Sequence, residues 1–210
     1  METEAKGWLC CTPPGLAGAQ ALAPGSVTVA PGRLGAALDG FFPDAAARAR
    51  GMVTGCQPSR LVLTIAPYET YLPAVWCALA QRRAMPGFAT LAPGLLASPR
   101  GWADLAADLR AAFGPLPVTV LLQPGVIAAA LPDTALAMLQ RLYAAGVRLP
   151  PRQMARLAAV HARLPQAEPL AAFSAAAAQG LVRRLAGDLA RLAAMPGVAI
   201  TTPGPLQAAA

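Results

Sequence analysis

The chain has 210 residues, of which 56% are hydrophobic and only 13% charged, with a formal net charge of +7. That length is enough for one substantial core, while the charged fraction lies well below the roughly 25% of ordinary globular domains. The positive charge is almost all arginine, Lys6 being the sole lysine, and its dispersal leaves no basic run of the kind that grips nucleic acid, so no specific nucleic-acid binding is expected.

Residues 1–26 carry Pro13-Pro14-Gly15 and Pro24-Gly25, which punctuate any regular element, and read as a poorly defined N-terminal segment. Ser26-Val27-Thr28-Val29-Ala30 suggests a short strand stopped by Pro31-Gly32. From Leu34 to about Met52 the pattern gives two short helical pieces broken near Phe42-Pro43, with Phe41 and Phe42 as core residues. Arg60-Leu61-Val62-Leu63-Thr64-Ile65-Ala66 is nearly continuously apolar and β-rich, as expected of a strand covered on both faces. Pro67 ends it, and Tyr68 to Arg83 reads as a loop feeding a helix, with Pro73 tolerable only near that helix's first turn. Trp102, Leu105, Leu109 and Phe113 mark a helix opening at Pro99-Arg100 or Gly101, with Asp104 and Asp108 one turn apart. Gly114-Pro115 stops it, and Val118-Thr119-Val120-Leu121-Leu122 is a second buried strand.

The remainder reads as helical. One helix runs from Pro132-Asp133-Thr134 through Tyr143, another from Pro151 to about Arg163, and a last from about Ala175 to Ala194. The last has an apolar seam of Leu181, Leu185, Leu189 and Leu192, with Arg183-Arg184, Asp188 and Arg191 on its remaining surface. Val198-Ala199-Ile200-Thr201 suggests an edge strand. The strand–helix–helix–strand order favours an α/β fold with a mostly parallel sheet, helical crossovers and a helical C-terminal half. A single domain over 27–202 and a tail over 203–210 are the expected bounds.

The mean hydropathy of +0.47 raises the question of a membrane span. The uncharged stretches Gly7–Gly32 and Ala111–Pro132 are both interrupted by proline and glycine, so no transmembrane segment is expected. The opening Met1-Glu2-Thr3-Glu4 is unlike the basic start of a signal peptide, and Cys10, Cys11, Cys56 and Cys77 fit neither a disulfide framework nor a zinc site, so a cytoplasmic location is expected.

Motifs that hold phosphate or activate a nucleophile are missing. Neither G-x-x-x-x-G-K-[ST], G-x-G-x-x-G nor G-x-S-x-G occurs, and His161 as the only histidine excludes H-E-x-x-H. Glu69 stands out because it follows the strongest strand, on the side where open α/β sheets bind ligands. It either caps the first turn of the following helix or, with Tyr68, Thr70 and Tyr71, lines a crevice. Arg60, Arg82 and Arg83 are the nearby cations that sequence cannot place.

The segment Phe42-Pro43-Asp44-Ala45, then Arg60 through Trp76, resembles the middle of bacterial sulfotransferase-like proteins. Trp102-Ala103-Asp104-Leu105 through Leu121-Leu122 is similar to that family's tryptophan-started helix and following strand, and Leu185 through Val198 to its C-terminal helix and Met-Pro-Gly-Val turn. The resemblance covers about residues 40–200. It implies a P-loop-type α/β fold and sulfuryl transfer from the nucleotide donor PAPS to a hydroxyl or amine. It also implies a basic residue in the first phosphate loop, where this chain has Cys10-Cys11-Thr12-Pro13-Pro14-Gly15, and an arginine and a serine after a later strand, where this chain has Ala66 and Ala74. A methyl group cannot replace a guanidinium fork on a phosphate dianion.

The expectation is therefore a sulfotransferase-like binding or structural protein without PAPS-dependent activity, without a cofactor or catalytic residue, and with a small anionic ligand or a protein as partner. Two alternatives stand beside it. One is an active sulfuryl transferase that anchors PAPS through Arg60, Arg82 or Arg83 with Tyr68, Glu69 and Tyr71. The other is a module whose amphipathic helices meet a membrane or a protein surface.

Overall fold

A computed structural model of the chain describes residues 8–11, 27–29, 34–52, 58–123, 131–165 and 168–201. Its strands are β1 (Trp8–Cys11), β2 (Val27–Val29), β3 (Arg60–Ile65), β4 (Val118–Leu122) and β5 (Val198–Thr201). They form one sheet in the order β2-β1-β3-β4-β5, and every neighbouring pair is parallel. The register sets Trp8 opposite Arg60, Leu61 opposite Val118 and Val118 opposite Val198. Parallel pairs need long crossovers, and helices lie in those from β2 to β3, from β3 to β4 and from β4 to β5.

Those helices are α1 (Ala45–Met52), α2 (Tyr68–Ala80), α3 (Phe88–Ala97), α4 (Trp102–Phe113), α5 (Asp133–Ala144), α6 (Pro151–His161) and α7 (Ala175–Ala194), with a 3-10 helix over Leu34–Ala37. The expected break near Phe42-Pro43 and the expected strands over 60–66 and 118–122 all appear. Two elements go beyond the sequence reading. Trp8–Cys11, inside the N-terminal segment, is a strand inserted between β2 and β3. Phe88–Ala97 is a helix despite Pro93 within it.

β3 is buried from Leu61 to Ile65, and because strand side chains alternate, both of its faces are covered. Leu61, Leu63 and Ile65 meet Val118 and Val120 of β4 in one core with residues of α1, α2, α4 and α7. α1 packs on α4, and α7 packs on α4, α2 and β5. Alanine lets these helices approach closely: Ala45, Ala49, Ala103 and Ala106 are all buried.

Two details correct the sequence reading of α2. The helix begins directly at Tyr68 after Pro67, with no intervening loop, so Pro73 lies in its second turn and has no N–H to give the carbonyl of Glu69. At its far end Gln140 of α5 donates to the carbonyls of Ala80 and Arg83 (2.5 and 3.0 Å) and accepts from the Met85 amide (2.7 Å), while Tyr143 donates to the carbonyl of Gln81 (2.8 Å). Two polar residues of α5 thus satisfy carbonyls at the end of α2 and just beyond it.

Gly40, Phe41 and Phe42 have successive positive φ angles of 103°, 56° and 60°. Two phenylalanines in the left-handed region cost of order 1–3 kcal/mol each. The conformation turns both rings inward, to 3% and 0% exposure, where Phe41 packs edge-on against Trp102 at 4.7 Å and Tyr68 at 5.4 Å. Burial of two aromatic side chains offsets the backbone strain.

Candidate functional site

In an open parallel sheet the ligand crevice forms at the carboxyl ends of the strands, where the strand order reverses. Here that point lies between β1 and β3. On the β3 side, the start of α2, the start of α4 and the middle of α7 converge.

Tyr68, the first residue of α2, donates its hydroxyl to Asp188 Oδ2 in a short hydrogen bond. The Trp102 amide, at the first residue of α4, points at both oxygens, 2.7 Å from Tyr68 Oη and 2.9 Å from Asp188 Oδ2. The Trp102 indole donates to the carbonyl of Ala66 at 2.9 Å, just past the end of β3. Gly101 stands directly against this cluster. A Cβ there would lie 2.5 Å from Tyr68 Oη and closer still to Asp188 Oδ2.

The electrostatics follow from burial. Tyr68 and Asp188 are 0% and 5% exposed. Burial, reinforced by the hydrogen bond to Asp188, raises the Tyr68 phenol far above its usual range, and burial alone does the same for Tyr71. Both phenols therefore stay protonated, and Tyr68 serves as a donor to the carboxylate. Arg191 bonds Asp104 at 2.6 Å and approaches Asp188 at 3.4 Å. Its hydrogen bond is the main cause that holds the Asp104 carboxyl below its ordinary value. Asp104 also accepts from the Gly101 amide at 2.8 Å, closing the first turn of α4.

The arginines at this edge are not the ones expected. Arg184 of α7 lies 4.8 Å over the Tyr68 ring and donates to the carbonyls of Leu95 and Arg100. Arg100 pairs with Asp108 at 2.5 Å. Arg60, by contrast, begins β3 and so sits at the opposite, amino edge of the sheet. Arg82 and Arg83 follow the C-terminal end of α2, about 20 Å along the helix from Tyr68 at 1.5 Å per residue. The structure thus brings Tyr68, Glu69 and Tyr71 to one edge and leaves Arg60, Arg82 and Arg83 away from it. Tyr68 and Tyr71 are fully buried among aromatic rings. Glu69 lies in the first turn of α2 without acting as its cap, for that helix start has no side-chain cap bond and Glu69 Oε2 is buried without a hydrogen-bond partner among the described residues.

Asp188 is the residue that sequence reading misplaced. The sequence pattern puts it on the surface of α7 outside the apolar seam, whereas the buried positions are Leu181, Leu185, Asp188 and Leu192, with Leu189 at the margin. The spacing 181-185-188-192 is a regular apolar seam, and a carboxylate within it signals a buried partner. Asp104 and Asp108, one turn apart on α4, each hold an arginine, and Asp104 also caps the helix start.

Among the described residues no group of three or more His, Cys, Asp or Glu could hold a metal ion. His161 ends α6, far in sequence from this cluster. The Cys77 thiol is pushed up to about 11 by burial, which keeps it a weak nucleophile. Thr12 to Gly15, the segment expected to correspond to a phosphate loop, lie outside the described residues, while Cys10 and Cys11 belong to β1.

Elsewhere, α6 has no buried residue, and Arg152 and Arg156 are exposed on it together with Val160. No described helix is long and apolar enough to cross a membrane. Comparison of the chain with family models, with curated proteins and with solved structures gives no match.

Proposed function

We propose that this chain is a sulfotransferase-like α/β domain that does not use PAPS and acts as a binding or structural protein. One observation carries the reading: the position at which the resemblance puts a phosphate-holding arginine is Ala66, which is fully buried and whose carbonyl is occupied by the Trp102 indole. A nucleotide phosphate there would need charge-assisted donors. The guanidinium groups of Arg100 and Arg191 near that edge already hold internal carboxylates, and Arg184 holds two backbone carbonyls. Arg60, Arg82 and Arg83 lie elsewhere, which weakens the reading of an active transferase with substitute anchors.

The experiment is calorimetric titration of the full chain with PAP, the product form of the donor. No saturable heat is expected. Stoichiometric sub-micromolar binding, abolished by neutralising arginines of the chain, overturns the proposal.

A further inference from the structure

The turn over 37–41, α2, the C-terminal half of α3 and α7 enclose a cleft of about 280 Å³. We propose that it binds a small monocarboxylate with an apolar body. The inference rests on the preceding reading only in taking binding, and not turnover, as the outcome.

The walls come from Phe41, Leu72 and Leu95, with Tyr68 at the base, and Arg184 supplies the charged group. Two observations select the ligand. First, Arg184 is half-buried yet has no carboxylate within ion-pair distance among the described residues, although Arg100 and Arg191 nearby each have one. A guanidinium has five N–H donors. Two reach the backbone carbonyls of Leu95 and Arg100, and the others have no acceptor among the described residues. A partly desolvated cation of this kind favours an anion beside it.

A carboxylate supplies two oxygens for the guanidinium N–H groups that the backbone carbonyls leave over. Second, Phe41 holds its place on the wall through a left-handed backbone, and such strain gathers at ligand clamps.

The same features argue against other ligands. A phosphate or sulfate dianion would meet a single cation and otherwise apolar walls, leaving most of its oxygens without donors. A neutral apolar molecule would leave the Arg184 charge unmatched. The volume equals that of about nine liquid waters at about 30 Å³ each, which suits a body of roughly eight carbons.

The test uses octanoate, 1-octanol and inorganic phosphate as probes on the full chain, read by calorimetry and by amide chemical shifts. Octanoate is expected to bind once per chain, at least about tenfold tighter than octanol, the margin of one charge-assisted hydrogen bond. Phosphate is expected to give no saturation. Arg184→Gln removes the charge, so it is expected to lower octanoate affinity about tenfold and leave octanol unchanged. Ala97→Trp fills the cleft from an exposed rim position and is expected to abolish binding of both without lowering the melting temperature.

Absence of saturable octanoate binding overturns the proposal. So does octanol binding as tightly as octanoate, or octanoate binding that survives Ala97→Trp. PAP titrated in parallel separates the two readings: PAP binding undoes the loss of donor chemistry and leaves the octanoate result to stand by itself.

Discussion

Asp188 offers the sharpest test of the cluster at the end of β3. It accepts from the Tyr68 hydroxyl, from the Trp102 amide at 2.9 Å and from Arg191 at 3.4 Å. In Asp188→Ala the Trp102 amide keeps Tyr68 Oη as an acceptor at 2.7 Å, and Arg191 keeps Asp104. The Tyr68 hydroxyl keeps nothing, and with Tyr68 at 0% exposure water does not replace the lost acceptor. A stranded buried hydroxyl costs about 1–3 kcal/mol, and the weakened amide bond adds about 1 kcal/mol, so the expected loss is about 2–4 kcal/mol. That is a large share of the roughly 5–15 kcal/mol of a typical domain. Asp188→Asn retains an acceptor for Tyr68 and is expected to cost less than half as much. Urea unfolding followed by tryptophan fluorescence measures these values. Tyr68→Phe completes a double-mutant cycle, in which the double variant should be more stable than additivity predicts by at least about 1 kcal/mol. Additive losses, or an Asp188→Ala variant within about 0.5 kcal/mol of the parent, refute the network as a structural unit.

Two further outcomes follow from the same geometry. Gly101→Ala drives a methyl group into Tyr68 Oη and Asp188, so it is expected to cost at least about 2 kcal/mol in the same assay, whereas Gly180→Ala, with open space around its Cβ, is expected to be neutral or stabilising. Tyr68 and Tyr71 have phenol pKa values raised by burial, so their contribution to stability is complete below about pH 10 and declines as pH climbs above it, because the unfolded chain then releases protons that the folded chain keeps. The decline should reach about 1.4 kcal/mol per pH unit for each phenol. Because the Cys77 thiol, pushed up to about 11, adds a slope of the same sign, urea melts at rising alkaline pH are compared in a Cys77→Ser background, where Tyr71→Phe should halve the slope; a flat profile means that the two phenols titrate normally.

The sheet was legible where the physics is local. β3 is covered on both faces and β4 is buried at Val118 and Val120 and half-buried elsewhere, so their residues form continuous apolar runs, and the turn residues around them mark their ends. β1 has only four residues, followed within two positions by Pro13-Pro14-Gly15, and its place between β2 and β3 depends on pairing with residues about fifty positions away. α3 was hidden by Pro93 and by the lack of any charged residue between Arg83 and Arg100 to outline a polar face. At the site, Tyr68 and Trp102 were visible as the first residues after breaks. Asp188 was not, because its partners Tyr68 and Trp102 lie 120 and 86 residues away, and the apolar count along α7 fits position 189 as readily as 188.

The placement of the cations links these local readings to the functional one. α2 runs from the carboxyl edge of β3 back along the sheet, so Tyr68, Glu69 and Tyr71 stay at that edge while Arg82 and Arg83 are carried off it. Charge reaches the edge from α7, whose residues Arg184, Asp188 and Arg191 occupy successive turns over the starts of α2 and α4. Asp188 and Arg191 are committed to Tyr68, Trp102 and Asp104, which closes the end of β3 with aromatic rings and internal hydrogen bonds. Arg184 alone of the three faces outward to a cleft, one layer removed from the sheet. On this reading a ligand meets the helices and not the strand ends, so removing the Arg184 charge should change binding while leaving the Asp188 cluster intact, and the two sets of variants should be separable in stability and in affinity.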